Sequence, residues 1–237
     1  MQVIELSHPL KSHYLTILRN ENTNSEEFRA YATKLSYLRF IEGTKNISLK
    51  EKNITTPLVD TKGYEVENDS VAISVLRAGL GLMDGVKELL PNVSFGYIGV
   101  QRNEETAEPE YYYENLPDLN NKNIFILEPM LATGGSLSFA IDKVKEQKPK
   151  EIIALTVISA PEGIERLEKE HPDITLITGN IDEKLNESWF IVPAERTNMS
   201  KEVSLSCICL AKFSITFSSH KFKGTIVHSQ LFSIILS

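Results

Sequence analysis

The strongest constraint on the fold is a series of unbroken apolar runs of strand length: Val71–Leu76, Phe95–Val100, Ile124–Leu127, Ile152–Ser159, Ile174–Thr178 and Phe190–Val192. Stretches of helical spacing separate several of them, at Leu80–Leu90, Ser136–Gln147 and Pro161–Glu170. A strand with one wet face alternates polar and apolar residues. A continuous run is buried on both faces, as in a parallel sheet covered by helices on each side. Upstream, Phe28, Tyr31, Leu35, Leu38 and Ile41 predict a helix over 25–41, with Ser25 as its N-cap. The expected fold is therefore α/β, a mostly parallel β-sheet flanked by helices. No internal repeat is visible, and no linker divides residues 1–193.

The pattern stops near Pro193. Residues 194–237 contain nine serines, both cysteines (Cys207 and Cys209) and no proline, with five basic and two acidic residues. The first 193 residues hold all ten prolines and carry net −10. We therefore divide the chain into a domain at 1–193 and an atypical tail at 194–237. Val203–Leu210 and Ile226–Ser237 read as β-prone. The tail suits either a terminal hairpin or unstructured extension, or a non-homologous end spliced or frameshifted onto an intact domain.

Charge and cysteine content narrow the partners. Over 237 residues the net charge is −7, which gives no bulk electrostatic grip on nucleic acid. Two cysteines make no disulfide scaffold, and no Cys/His group has zinc spacing. The opening lacks a secretory signal pattern, and no apolar run is long enough to span a bilayer. The expectation is a soluble, intracellular, acidic protein of the cytoplasm.

In an open parallel sheet, ligands bind beyond the carboxyl ends of the strands. The joint after Ile124–Leu127 reads Glu128-Pro129-Met130-Leu131-Ala132-Thr133-Gly134-Gly135-Ser136. Glycines let the backbone approach an anion, and the helix opening at Ser136 adds partial positive charge, so a phosphate fits here. Glu128, one loop earlier, can hold sugar hydroxyls; together these features suit a phosphorylated ribose. A second joint, Arg77-Ala78-Gly79-Leu80-Gly81, is neither a dinucleotide fingerprint nor a Walker A loop. Arg77 there suits a diphosphate, or pairs with a neighbouring acid. The third joint ends a strand at Arg102, followed by an acidic stretch through Tyr111–Tyr113. It suits a flap that excludes water, although locally a solvated loop with partly packed tyrosines accounts for it better. Asp182, Glu183 and Glu187 beside Trp189 read as a solvated face. His8, His13 and His171 are scattered.

The segments VLRAGLGLMDG (75–85), IGVQRNEETAEP (98–109), EPMLATGGS (128–136), APEGIERLEKEHPDI (160–174) and IDEKLNE (181–187) closely resemble the uracil phosphoribosyltransferases, which are type I phosphoribosyltransferases. The opening SHPLKSHYLTILRN (7–20) is similar too, and the resemblance covers roughly residues 3–193. It implies a type I phosphoribosyltransferase-like sheet with a flap hairpin and a small hood. It also implies transfer of phosphoribosyl from phosphoribosyl diphosphate to uracil, giving UMP and diphosphate with Mg²⁺. By the same resemblance, Arg77, Ala78, Gly79 and Arg102 hold phosphoribosyl diphosphate, Glu128–Ser136 form the phosphoribosyl loop, and the backbone of Ile191 touches uracil. Arg77, Arg102 and Glu128 are then the residues implied in catalysis. A homodimer or larger homo-oligomer and a GTP effector are further implications. Two departures stand out. Glu128 occupies a position that is usually Asp, and Ala194-Glu-Arg-Thr-Asn-Met-Ser200 replaces a Gly-Asp-Ala-Gly-Asp loop that recognises the base. The second leaves room for a non-catalytic binder of phosphoribosyl diphosphate or UMP, or for a truncated product with little stable function.

Overall fold

In the computed structural model, residues 1–67, 69–102 and 109–193 are described, with the side chains of Gln101, Arg102 and Pro109 left aside. The elements run β1 (Gln2–Glu5), α1 (Pro9–Arg19), α2 (Ser25–Gly43), β2 (Leu49–Thr55), β3 (Asp60–Val66), β4 (Ser70–Leu76), α3 (Met83–Leu89), β5 (Ser94–Arg102) and β6 (Pro109–Asn115). They continue with β7 (Asn123–Leu127), β8 (Met130–Leu131), α4 (Gly135–Lys145), β9 (Glu151–Ser159), α5 (Pro161–Glu170), β10 (Thr175–Ile181), β11 (Lys184–Leu185) and β12 (Ile191–Val192). The main sheet has the order β1-β10-β9-β7-β4-β5-β6, and β8 also pairs with β9. Every pairing in it is parallel except β5 with β6.

Successive residues of the central strands enter opposite cores, which explains the unbroken apolar runs. Phe125 and Leu127 join Leu35, Phe40 and Val86 on the face covered by α1, α2 and α3. Ile124 and Ile126, between them, join Leu137, Ile141 and Leu167 on the face covered by α4 and α5. Truncating one such fully buried side chain to Ala costs about 2–5 kcal/mol. The helix expected over 25–41 extends to Gly43, and its cap is Asn24, whose side chain accepts from the Glu27 N–H at 2.9 Å. Ser25, expected as the cap, is the first helical residue.

The stretch expected to be helical over 80–90 divides into a 3₁₀ turn at Ala78–Leu82 and the short α3. Gly79, Gly81 and Gly85 lower its helical propensity. The hairpin of β2 and β3 stands apart from the main sheet, pairing Leu49 with Val66 through Thr55 with Asp60. The stretch expected as a loop or flap after Arg102 becomes in part an edge strand, with Arg102 opposite Pro109. The rest of that stretch (103–108) and the tail (194–237) lie outside the described residues. The expected hood appears as the small antiparallel pair β11–β12, beyond the carboxyl end of β10.

Candidate active site

The two joints with the clearest chemistry lie at the ends of adjacent strands. β4 and β7 run parallel, with Ser74 opposite Leu127, so Arg77 and Glu128 both leave the sheet at its carboxyl edge. The loops touch. A Cβ built on Gly79 would lie 2.3 Å from the Leu127 carbonyl oxygen and 2.7 Å from Ser74 Oγ, so no side chain fits there. Gly79 is thus needed for contact between the loops, a reason beyond the anion approach that its spacing suggests. Arg77 itself is exposed at the start of the 3₁₀ turn.

β7 stops at Leu127, and the chain returns to the sheet as β8, so Glu128 and Pro129 form an interruption within one strand line. The Glu128 N–H donates to the Leu155 carbonyl at 3.2 Å, and the Pro129 carbonyl accepts from the Val157 N–H at 2.8 Å. Both bonds hold the interruption to β9. Ala132 and Thr133 lead to Gly134, which has φ +79° and is the N-terminal boundary of α4. No side chain caps the first N–H groups of that helix, at Gly135, Ser136 and Leu137, the arrangement in which a helix N-terminus can take an anion. The loop is supported from behind by α5. A Cβ on Gly163 would lie 2.4 Å from the Ala132 carbonyl oxygen. Sequence reasoning assigned Gly163 no role of its own, because its contact lies some thirty residues away in sequence.

On the other side of β4, Leu76 pairs with Gly99 of β5, and β5 continues to Arg102. The Arg102 backbone therefore ends the neighbouring strand, while its side chain lies outside the described residues. β6 has an irregularity opposite Gly99 and Val100, which pair with Tyr113 and Tyr111 and leave Tyr112 between them. Bulges of this kind re-aim a side chain. The Tyr112 ring crosses Gly99, where a Cβ would lie 2.7 Å from it; burial raises its phenol pKa, and the positive charge of Arg77 opposes that rise. Tyr112, expected only to be partly packed, is thus a site neighbour that the local sequence did not reveal.

The hood adjoins the opposite end of this edge. The Asp182 N–H donates to the Ser159 carbonyl at 2.8 Å, and the Glu183 N–H to the Val192 carbonyl at 3.0 Å. Leu185 pairs with Ile191, which is buried. The acids expected to form a solvated face divide. Asp182 is buried and ion-paired with Arg19 of α1, whereas Glu183 and Glu187 are exposed. His171 is also buried, 2.8 Å from Ser138 Oγ, in a polar cluster joining α4 to the end of α5.

Glu128 is the electrostatic centre of the site. Its Oε2 is buried and has no hydrogen-bond partner among the described residues. Burial pushes its carboxyl up from 4.5 to about 8. Such a group can donate a hydrogen bond when protonated or accept sugar hydroxyls when ionised. Among the described residues no group of three or more His, Cys, Asp or Glu could hold a metal. A single unsatisfied carboxylate suits a Mg²⁺ carried largely by substrate phosphates rather than by a protein cage. A small polar hollow lined by Gln2, Glu42, Asn46, Asn123, Glu151 and Thr175 lies at the amino edge of the strands, away from all of these residues.

A mostly parallel sheet with a Gly-rich anion loop, a cationic loop and a hood along its carboxyl edge defines a type I phosphoribosyltransferase. The family model described as "Uracil phosphoribosyltransferase" matches residues 5–195. Proteins of that name from Wolinella succinogenes and Malacoplasma penetrans are 44% and 46% identical to the chain. The first alignment covers 81% of this chain and 94% of that protein, the second 78% and 91%. The solved structure of the AQ2163 protein from Aquifex aeolicus superposes with a TM-score of 0.82 at 34% identity, covering 86% of this chain and 99% of that one. The chain belongs to the uracil phosphoribosyltransferase family.

Proposed function

We propose that the chain salvages pyrimidine by transferring phosphoribosyl from 5-phosphoribosyl 1-diphosphate to uracil, giving UMP and diphosphate. The observation that carries this reading is the seating of Gly79 on the Leu127 carbonyl, which puts the Arg77 loop beside the Glu128–Ser136 loop. Bond breaking at the anomeric carbon leaves positive charge on the ribose and negative charge on the departing diphosphate, so no protein nucleophile is needed. Thr133, Gly134, Gly135 and Ser136 hold the 5′-phosphate with N–H groups and hydroxyls. Glu128 and the Pro129–Ala132 backbone support the ribose. Arg77 with Ala78 and Gly79, and Arg102 from the next strand, receive the diphosphate. Preorganised donors of this kind contribute about 3 kcal/mol each. Mg²⁺, when bound with the diphosphate, neutralises charge on the leaving group. Ile191 in the hood offers its backbone to the uracil edge.

The site proposal is tested by measuring UMP and diphosphate formation with uracil and with adenine. Uracil-dependent product is expected, and its loss in an Arg77→Ala variant. Product formation unchanged in that variant contradicts the assignment of the loop. The non-catalytic alternative predicts phosphoribosyl diphosphate or UMP binding without turnover, and family membership favours the enzyme. A cytoplasmic location, homodimer assembly and GTP response also belong to this proposal. Consistent with the first, no described helix is long and apolar enough to cross a membrane. Sedimentation with and without GTP tests the other two.

A further inference from the structure

The hood is attached to the body at a few specific points, and one of them joins parts of the chain distant in sequence. Arg19 Nη2, at the end of α1, donates to Asp182 Oδ1, immediately after β10. Asn180 Nδ2 donates to the same oxygen at 2.7 Å. Asp182 is 4% exposed, so the carboxylate that accepts both bonds is buried, whereas the Arg19 side chain keeps partial contact with solvent. Beneath them, the hydroxyls of Thr156, Ser159 and Thr178 are linked at 2.8 and 2.9 Å, and Thr178 donates to the Asn180 carbonyl. The carboxyl ends of β9 and β10 are therefore fixed relative to each other, and Asp182 is fixed on them. Glu183 and Leu185, the next residues of the hood, meet Val192 and Ile191. A second carboxylate, Glu162 Oε1 of α5, accepts from the Leu185 N–H at 2.9 Å.

The Arg19–Asp182 contact is half of a fork. Arg19 Nε and Asp182 Oδ2 are both buried and unpartnered among the described residues. They are the donor and acceptor that a side-on bidentate guanidinium–carboxylate pair would join.

We infer that Arg19 and Asp182 form a positioning pair that sets the hood, and with it the Ile191 backbone, over the base subsite. This inference rests on the proposed uracil phosphoribosyltransferase reaction. Neither residue touches the reacting atoms. Their charge pairing fixes where the base edge is met, while the phosphate-binding loops on β4 and β7, among the described residues, make no side-chain bond to either residue and meet β9 and α5 through their own backbone contacts. Loss of the pair weakens uracil binding and leaves phosphoribosyl diphosphate binding nearly unchanged.

The test uses Arg19→Met and Asp182→Asn in the full chain, singly and combined, with Arg19→Lys as the milder variant. Each single change is expected to raise KM for uracil by about tenfold while KM for phosphoribosyl diphosphate stays within about twofold. The double variant is expected to be no worse than either single, because both remove one interaction. Arg19→Lys should recover part of the loss. Hydrogen exchange at the Glu183 and Leu185 amides should quicken in the same variants, with the strand amides of β4 and β7 unchanged. Both KM values moving together, or hood amides exchanging at the wild-type rate, would show a structural tie only and overturn the inference. A wild-type chain that forms no UMP counts against the proposed function. In that case the exchange rates, together with the affinity for UMP, decide the positioning role separately.

Discussion

Replacing Glu128 by Gln tests the electrostatics of the site through folding stability. The carboxyl lies in the interruption between β7 and β8, with Oε2 buried and its pKa raised from 4.5 to about 8 by desolvation. Unfolded, it ionises at the ordinary value. Between these two values the folded state keeps a proton that the unfolded state has released. The contribution of Glu128 to stability is therefore greatest below 4.5, falls as pH rises toward about 8, and levels off above it. The displacement bounds the loss at about 5 kcal/mol. The residue is not fully enclosed, and screening with local relaxation brings the expected loss to about 2 kcal/mol. For a chain of this size that is about 4–8 °C in Tm. Gln keeps the shape and does not titrate. Thermal unfolding at about pH 4 and about pH 8.5, which bracket the whole transition, should show the wild type losing that much more than Glu128→Gln. Parallel behaviour of the two proteins would refute a buried, proton-retaining Glu128. In turnover the same variant should lose on the order of 10²-fold in kcat/KM if the carboxylate supports the ribose.

Three other perturbations probe neighbouring contacts. Gly79→Ala places a methyl 2.3 Å from the Leu127 carbonyl oxygen, so denaturant titration should show a loss of about 1–3 kcal/mol and kinetics a raised KM for phosphoribosyl diphosphate. Tyr112→Phe removes the phenol whose titration senses the Arg77 charge and should raise that same KM by up to about tenfold, with KM for uracil unchanged in steady-state assays. His171 has its pKa lowered, chiefly by burial and then by Lys145, with Asp142, Glu170 and Asp173 opposing the shift. An unfolded chain binds that proton more readily, so stability falls as pH drops below about 6.5, a slope that melts of His171→Asn should lack.

The sequence revealed the centre of the fold better than its periphery. Ile124–Leu127 and Ile152–Ser159 were recognisable because burial on two faces leaves no polar alternation to confuse the reading. The hairpin of β2 and β3 gave no such signal, since nearly every residue in it is exposed. In the site, Glu128–Ser136 was legible as one contiguous joint. The Gly163 support, the Tyr112 bulge and the Arg19–Asp182 pair each depend on residues brought together from distant segments. Asp182 looked solvated because charged neighbours surround it in the sequence, whereas the fold places it against α1.

The pairing of β1 with β10 has a consequence for how this protein is made. Gln2 lies opposite Thr175, so β1 is synthesised more than 160 residues before β10, its one neighbour in the main sheet among the described strands. Until then its amide edge has no partner in the main sheet. Contacts this far apart along the chain slow folding because a large loop must close first. Synthesis halted before Thr175 should therefore yield a nascent chain in which β1 is unpaired and open to chaperones, and its release should coincide with arrival of β10.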